Sequence, residues 1–128
     1  MKKRFLNIAA KIMSVLLIVV ALSAGFLLLG KSKALTAEID NVDLSRIPDG
    51  IYVGAFSDFR WSNKVQVTVD DHRIVNIQIL KKQIVDSKQV MDTLIQTVIT
   101  AQTPNVDAVS GATADSNAYL KAIENALQ

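Results

Sequence analysis

Apolar residues in this chain recur at three spacings, and each spacing predicts a different element. From Ile12 to Gly30 the run IMSVLLIVVALSAGFLLLG carries no charge and no polar face. As a helix its 19 residues would extend about 28 Å at ~1.5 Å per residue. A bilayer core is about 30 Å thick, so the run is long enough to cross one. Further on the spacing becomes two. Val65, Val67 and Val69 alternate with Gln66, Thr68 and Asp70, and Val75, Ile77 and Ile79 alternate with Asn76 and Gln78. That period belongs to half-buried strands, and Asp70-Asp71-His72-Arg73 between them reads as a hairpin turn. Ile51 to Phe56, after the turn signal Pro48-Asp49-Gly50, reads as a further short strand. Then the spacing lengthens to three or four. Val90, Met91, Leu94, Ile95, Val98 and Ile99 predict a helix from Ser87 to about Gln102. Ser87 or Asp86 can cap it, and Thr103-Pro104-Asn105 stops it. A last helix, from about Ala114 to Leu127, puts Leu120, Ile123 and Leu127 on one stripe, supported by Tyr119 and Ala126.

The order is therefore one apolar span, three or more strands, a helix, a loop and a helix. A small antiparallel sheet with one apolar face needs a cover, and two amphipathic helices can supply it. The expected fold class is α+β, in two layers, preceded by one transmembrane helix. The expected divisions are a basic flank at 1–11, an anchor at 12–30, a polar tether at 31–47 and a folded domain at 48–128. The domain is small but long enough for one core.

Charge orients this plan. Lys2, Lys3, Arg4 and Lys11 precede the span with no acid among them. The rest of the chain holds 10 basic and 12 acidic residues, so the formal +2 of the whole conceals +4 on the flank and −2 beyond it. Positive charge stays on the cytoplasmic side, which puts the N-terminus inside and residues 31–128 outside, in a single-pass cell-membrane protein. There is no basic stripe for a nucleic acid. Small residues at Ala21 to Ala24 offer a cleavage site, but Phe26-Leu27-Leu28-Leu29 continues the apolar run past it, as in an uncleaved anchor. The chain has no cysteine, hence no disulfide, no thiolate metal site and no lipid-modified cysteine.

Candidate chemistry concentrates at residues 107–120, DAVSGATADSNAYL. Asp107, Ser110 and Thr113 stand three apart, with only Gly111 and Ala112 between the two hydroxyls, just before the last helix. The first N–H groups of a helix lack internal partners, and the helix dipole adds partial positive charge there. An anion such as a phosphate is favoured at that point. Gly111 lets the backbone come close, Ala112 keeps the approach clear, and the Thr113 hydroxyl would face the anion. Asp107 would repel a phosphate unless it points away, so it suits a backbone brace or a cation ligand. Equally, Ser, Thr and Asp are ordinary helix caps, and Ser110-x-x-Thr113 or Thr113-x-x-Ser116 could be no more than that. The stretch lacks the glycine spacing and lysine of a phosphate-binding P-loop.

The heptad Asp107-Ala-Val-Ser110-Gly111-Ala112-Thr113 resembles the covalent flavinylation motif of the FMN-binding domain family. That family includes the FMN-carrying subunits of the sodium-translocating NADH:quinone reductase and of Rnf complexes, and small membrane-anchored relatives. The similarity extends over 48–128. Pro48-Asp49-Gly50-Ile-Tyr52-Val-Gly54 resembles the opening strand, and Asn117-Ala118 the start of the last helix. The resemblance implies that a magnesium-dependent flavin transferase moves FMN from FAD onto Thr113, leaving a phosphodiester. It implies that Ser110, Gly111 and Ala112 form the close-approach loop and that Asp107 is read by the transferase. It further implies an electron carrier outside the membrane rather than a stand-alone enzyme, with redox proteins or a quinone-linked donor as partners and no catalytic residue or metal of its own. The alternative is an accessory domain of the same fold that binds flavin non-covalently or not at all. This chain departs from the family in a hairpin turn without glycine and in the short aromatic segment 57–63. Trp61 and Phe59 there could stack on a flavin or simply pack. His72 reads as a solvated turn residue. Lys81, Lys82, Gln83, Asp86 and Lys88 form a loop that could attract an anion.

Overall fold

The computed structural model describes every residue except Gly30, so the last residue of the predicted span lies outside the described residues. Helix α1 runs Lys2–Leu28 and buries no residue. It is long and apolar enough to cross a membrane. A five-residue helix, α2 (Lys31–Leu35), follows, and a 3₁₀ turn covers Leu44–Arg46. Strands β1 (Gly50–Phe56), β2 (Asn63–Asp70) and β3 (Arg73–Lys81) form one antiparallel sheet in the order β1-β2-β3. Helices α3 (Lys88–Ala101) and α4 (Thr113–Leu127) complete the chain. The fold is α+β, with a three-stranded antiparallel sheet.

On β2 the predicted alternation is exact in burial. Val65, Val67 and Val69 are buried, and the residues between them are not. On β3 the expected face is corrected. Ile77 is buried as expected, but Val75 is half exposed and Ile74 takes the inward place. The cause is a register shift. Thr68 pairs with Asn76, whereas the next residue, Val69, pairs with Ile74, so Val75 has no partner of its own. One extra residue in a strand flips the side chains that follow it to the other face.

Helix α4 is the centre of the molecule. It packs across β1 and β2, and α2 lies against it as well. Ten of its 15 residues are buried, including the predicted stripe Tyr119, Leu120, Ile123, Ala126 and Leu127. Such side chains contribute roughly 1.5–3 kcal/mol each for the largest ones. The approach to β1 is so close that Gly54 has no room for a side chain: a Cβ there would sit 2.1 Å from the Ala122 carbonyl oxygen and 2.3 Å from the Ala126 nitrogen. Helix α3 buries Met91, Leu94 and Val98. Its N-cap is Ser87, whose hydroxyl accepts from the Val90 N–H, one of the two expected caps. At its other end Gln102 turns left-handed (φ 56°), and its side-chain amide pairs with the backbone of β3. Oε1 accepts from the Ile74 N–H at 2.8 Å and Nε2 donates to the Ile74 carbonyl at 2.9 Å.

Residues 31–47 lie against this body. Ala34 is fully buried, Asn117 donates to the Leu35 carbonyl, Lys121 to the Glu38 carbonyl, and Thr103 to Asn41. The hairpin turn achieves positive φ without glycine, at Asp71 (50°) and His72 (56°). Asp49 steadies it by accepting from the His72 N–H. These backbone bonds, that from Asp71 foremost, hold the Asp49 carboxyl below its ordinary range. The His72 ring, though exposed, sets Nδ1 3.2 Å and 3.1 Å from the Leu44 and Ile47 carbonyls. It is a turn residue with partners rather than a purely solvated one.

Candidate functional site

The loop between α3 and α4, with the first turn of α4, exposes two hydroxyls and buries a third. Pro104 is buried, and the Val106 N–H closes a turn onto its carbonyl. A second turn closes from the Ala112 N–H to the Val109 carbonyl at 2.9 Å. Between them the Val109 N–H donates to the Ser116 hydroxyl at 3.1 Å. Ser116 is fully buried in the first turn of α4. It is thus the brace that ties the loop to the helix. Ser110 and Thr113 are exposed, and their hydroxyls enter no hydrogen bond among the described residues.

The capping expectation is corrected here. The N-cap of α4 is Ala112, and no side chain caps the helix. Gly111 precedes it at φ +78°, and a Cβ built there meets nothing within 4 Å. The loop is therefore left-handed and open at Gly111, small at Ala112 and uncapped at the helix start, with the exposed Thr113 as first helical residue. These are the features an anionic group needs for close approach to helix N–H groups. Asp107 is also exposed and braces no backbone group among the described residues.

Thr113 borders a cleft of about 320 Å³. One wall is Gly111 to Asp115, and the others are Lys31 and Leu35 of α2 and Arg60-Trp61 of the loop between β1 and β2. The Arg60 guanidinium carbon sits over the Trp61 ring, 3.9 Å from its centroid, and the guanidinium is 4.0 Å from the Asp115 carboxylate. Trp61 is fully buried and donates from Nε1 to the same carboxylate at 2.9 Å. Asp115 is thereby engaged by an indole and a guanidinium, so its charge at the helix start is largely answered. With Arg60 offsetting Asp115, Lys31 adds positive charge to that of the helix end, which suits a bound phosphate. A further depression of about 450 Å³, between residues 41–48 and the end of α4, contains no residue of the motif.

Behind the cleft, Gln83 is buried and clamps α4. Its Nε2 donates to the Asp115 carbonyl at 3.0 Å, and its backbone N–H donates to the Tyr119 hydroxyl at 3.1 Å. Tyr119 in turn donates to Asp86 at 3.0 Å. Burial, and then the contacts with Asp86, raise the phenol's pKa well above its ordinary 10.0. Of the loop expected to attract an anion, Gln83 and Asp86 are structural, and Lys88 pairs with Asp92 at 2.5 Å. Trp61 meets the cleft as a packed, hydrogen-bonded wall, whereas Phe59 is 53% exposed beside it.

The five residues singled out in the sequence, Asp107, Ser110, Gly111, Ala112 and Thr113, lie on one short loop by chain continuity alone. What sequence reasoning missed is the opposite wall. Lys31, Leu35 and Arg60 carry no motif, and nothing in the spacing of Asp115 sets it apart from other polar helix residues. The one usable signal was Arg60-Trp61, a cation beside the only tryptophan of the chain.

Residues 61–128 match the family model of the FMN-binding domain. No curated protein gives a match. The match takes in the Trp61 wall, β2, β3, both long domain helices and the whole loop from Asp107 to Thr113, more than half of the chain: this protein belongs to the FMN-binding domain family.

Proposed function

We propose that this is a membrane-anchored flavoprotein that carries FMN on the Thr113 hydroxyl, outside the cytoplasmic membrane, and passes electrons between redox partners. The observation that carries this reading is the uncapped start of α4. A family whose domain binds FMN has here an exposed threonine at a helix end stripped of side-chain caps, beside an open left-handed glycine. The donor set fits a phosphodiester. The α4 N–H groups, Arg60 and Lys31 would face its charge, Gly111 and Ala112 would leave it room, and Ser116 would hold the loop still. Attachment requires a dedicated transferase, which would join the Thr113 oxygen to the FMN phosphorus of FAD and release AMP. Asp107, exposed and unengaged, is available for that enzyme to read. Bound there, FMN supplies one- and two-electron chemistry; the chain supplies tether, orientation and electrostatics.

The test is intact mass after co-expression with a flavin transferase that labels a control substrate. The expected result is a gain of one FMN less one water, absent in Thr113→Ala and strongly reduced in a still-folded Asp107→Ala. No gain in the native chain would leave a domain that binds flavin non-covalently or not at all. Normal labelling of Asp107→Ala would remove that residue from the recognition role.

A further inference from the structure

We propose that the face of the domain carrying Phe59, Ile84 and Val85 docks on the bilayer surface, so that the cofactor cleft opens at the lipid–water boundary. The inference rests on the reading of α1 as a membrane anchor. Three observations converge on it. First, the domain touches the outer end of the span directly. The Arg60 Nε donates to the Leu27 carbonyl at 2.8 Å, and Leu27 lies in the last turn of α1, where carbonyls lack helical partners. Second, the elements around that contact expose large apolar side chains. Phe59 is 53% exposed, Ile84 66% and Val85 50%, and the Ile84 N–H donates to the Arg60 carbonyl at 3.1 Å, so both loops belong to one surface. Third, exposed lysines adjoin it. Lys81 and Lys82 precede Ile84, and Lys33, which donates to the Ser57 carbonyl at 3.3 Å, stands on the other side.

A protein partner could cover an apolar patch elsewhere on the molecule. This patch is joined by a hydrogen bond to the end of a helix that fits a bilayer. Once α1 is inserted, the patch is held at interfacial depth. Aromatic and aliphatic groups flanked by lysines are the composition that binds there, with the apolar parts among acyl chains and the ammonium groups among lipid phosphates. The cleft shares Arg60 with this face, and its other wall, Lys31 and Leu35, follows the span within a few residues.

The absence of cysteine makes the test direct. Single spin labels are placed at Leu17, Phe59, Ile84 and Asp70 in the full chain, reconstituted in phosphatidylcholine–phosphatidylglycerol nanodiscs. Asp70 lies at the other end of β2, roughly 20 Å from Asn63 at ~3.3 Å per residue. Relaxation by oxygen, which concentrates in lipid, is compared with relaxation by a water-soluble nickel chelate. The expected result is that Phe59 and Ile84 labels are several-fold less accessible to nickel than Asp70, at a depth between Asp70 and Leu17. Labels at Phe59 and Ile84 as nickel-accessible as Asp70, with Leu17 buried in lipid, would overturn the docking and leave the anchor standing. A nickel-accessible Leu17 would overturn the anchor, and the docking with it.

Discussion

Two hydroxyls three residues apart in α4 have opposite duties, and substitution separates them. The Thr113 side chain is exposed and its hydroxyl makes no hydrogen bond among the described residues, so Thr113→Ala should change stability by less than about 0.5 kcal/mol. Ser116→Ala leaves the Val109 N–H without its acceptor and should cost about 1–2 kcal/mol in urea unfolding. It should also lower flavin attachment although the acceptor is intact. Equal stability in the two variants would remove the brace. Tyr119→Phe strands the Gln83 N–H and one side of Asp86 and should cost about 1–3 kcal/mol at neutral pH. The pH dependence has a definite sign. The Tyr119 pKa is raised in the fold, so its contribution is complete below 10.0, the ordinary value, and falls as pH climbs beyond it, because the unfolded phenol ionises first. Native protein should lose stability more steeply above pH 10 than Tyr119→Phe does. The sequence showed the cluster of hydroxyls but not this division, because burial decides it. Ser116 faces the core side of the first turn, and Thr113 faces out.

The contact between α4 and β1 sets how close the two layers can come. Gly54 is the point of nearest approach, and its neighbours there are backbone atoms that cannot rotate away. Gly54→Ala should therefore cost more than about 3 kcal/mol, or abolish the cooperative transition, while Gly50→Ala, whose Cβ would meet only the Tyr52 side chain at 3.7 Å, stays within about 1 kcal/mol. Comparable midpoints for the two variants in thermal unfolding would contradict the packing described. The elements themselves were legible in the chain. Period two marked β2, period three to four marked α3 and α4, and observed bounds for both helices fall within a residue or so of the expected ones. The inward face of β3 was not legible. A bulge depends on how β2 pairs with β3, and the alternation of Val75, Ile77 and Ile79 on its own favoured the wrong start.

For the molecule as a whole, the division of charge predicts orientation. With +4 before the span and −2 after it, a periplasmic-type reporter fused after Gln128 should be active, and a cytoplasmic one silent. The reverse result would overturn the proposed side of the membrane. How residues 31–47 lie could not be read from their polar composition. Their apolar members have no clear period, yet Ala34, Ile39, Val42, Leu44 and Ile47 pack on the core, while Leu35 stays exposed. The same packing has a consequence for encounters. A slack leash of this length would let a redox centre sweep a hemisphere and meet carriers dissolved in bulk water. Here the leash is folded onto the domain it holds, with Lys121 gripping the Glu38 carbonyl and Ala34 sealed against α4. With α1 in a bilayer, the centre would have almost no reach of its own. On the proposed reading, a partner would have to reach the centre at the membrane surface, and one confined to the same sheet of lipid would search for it in two dimensions.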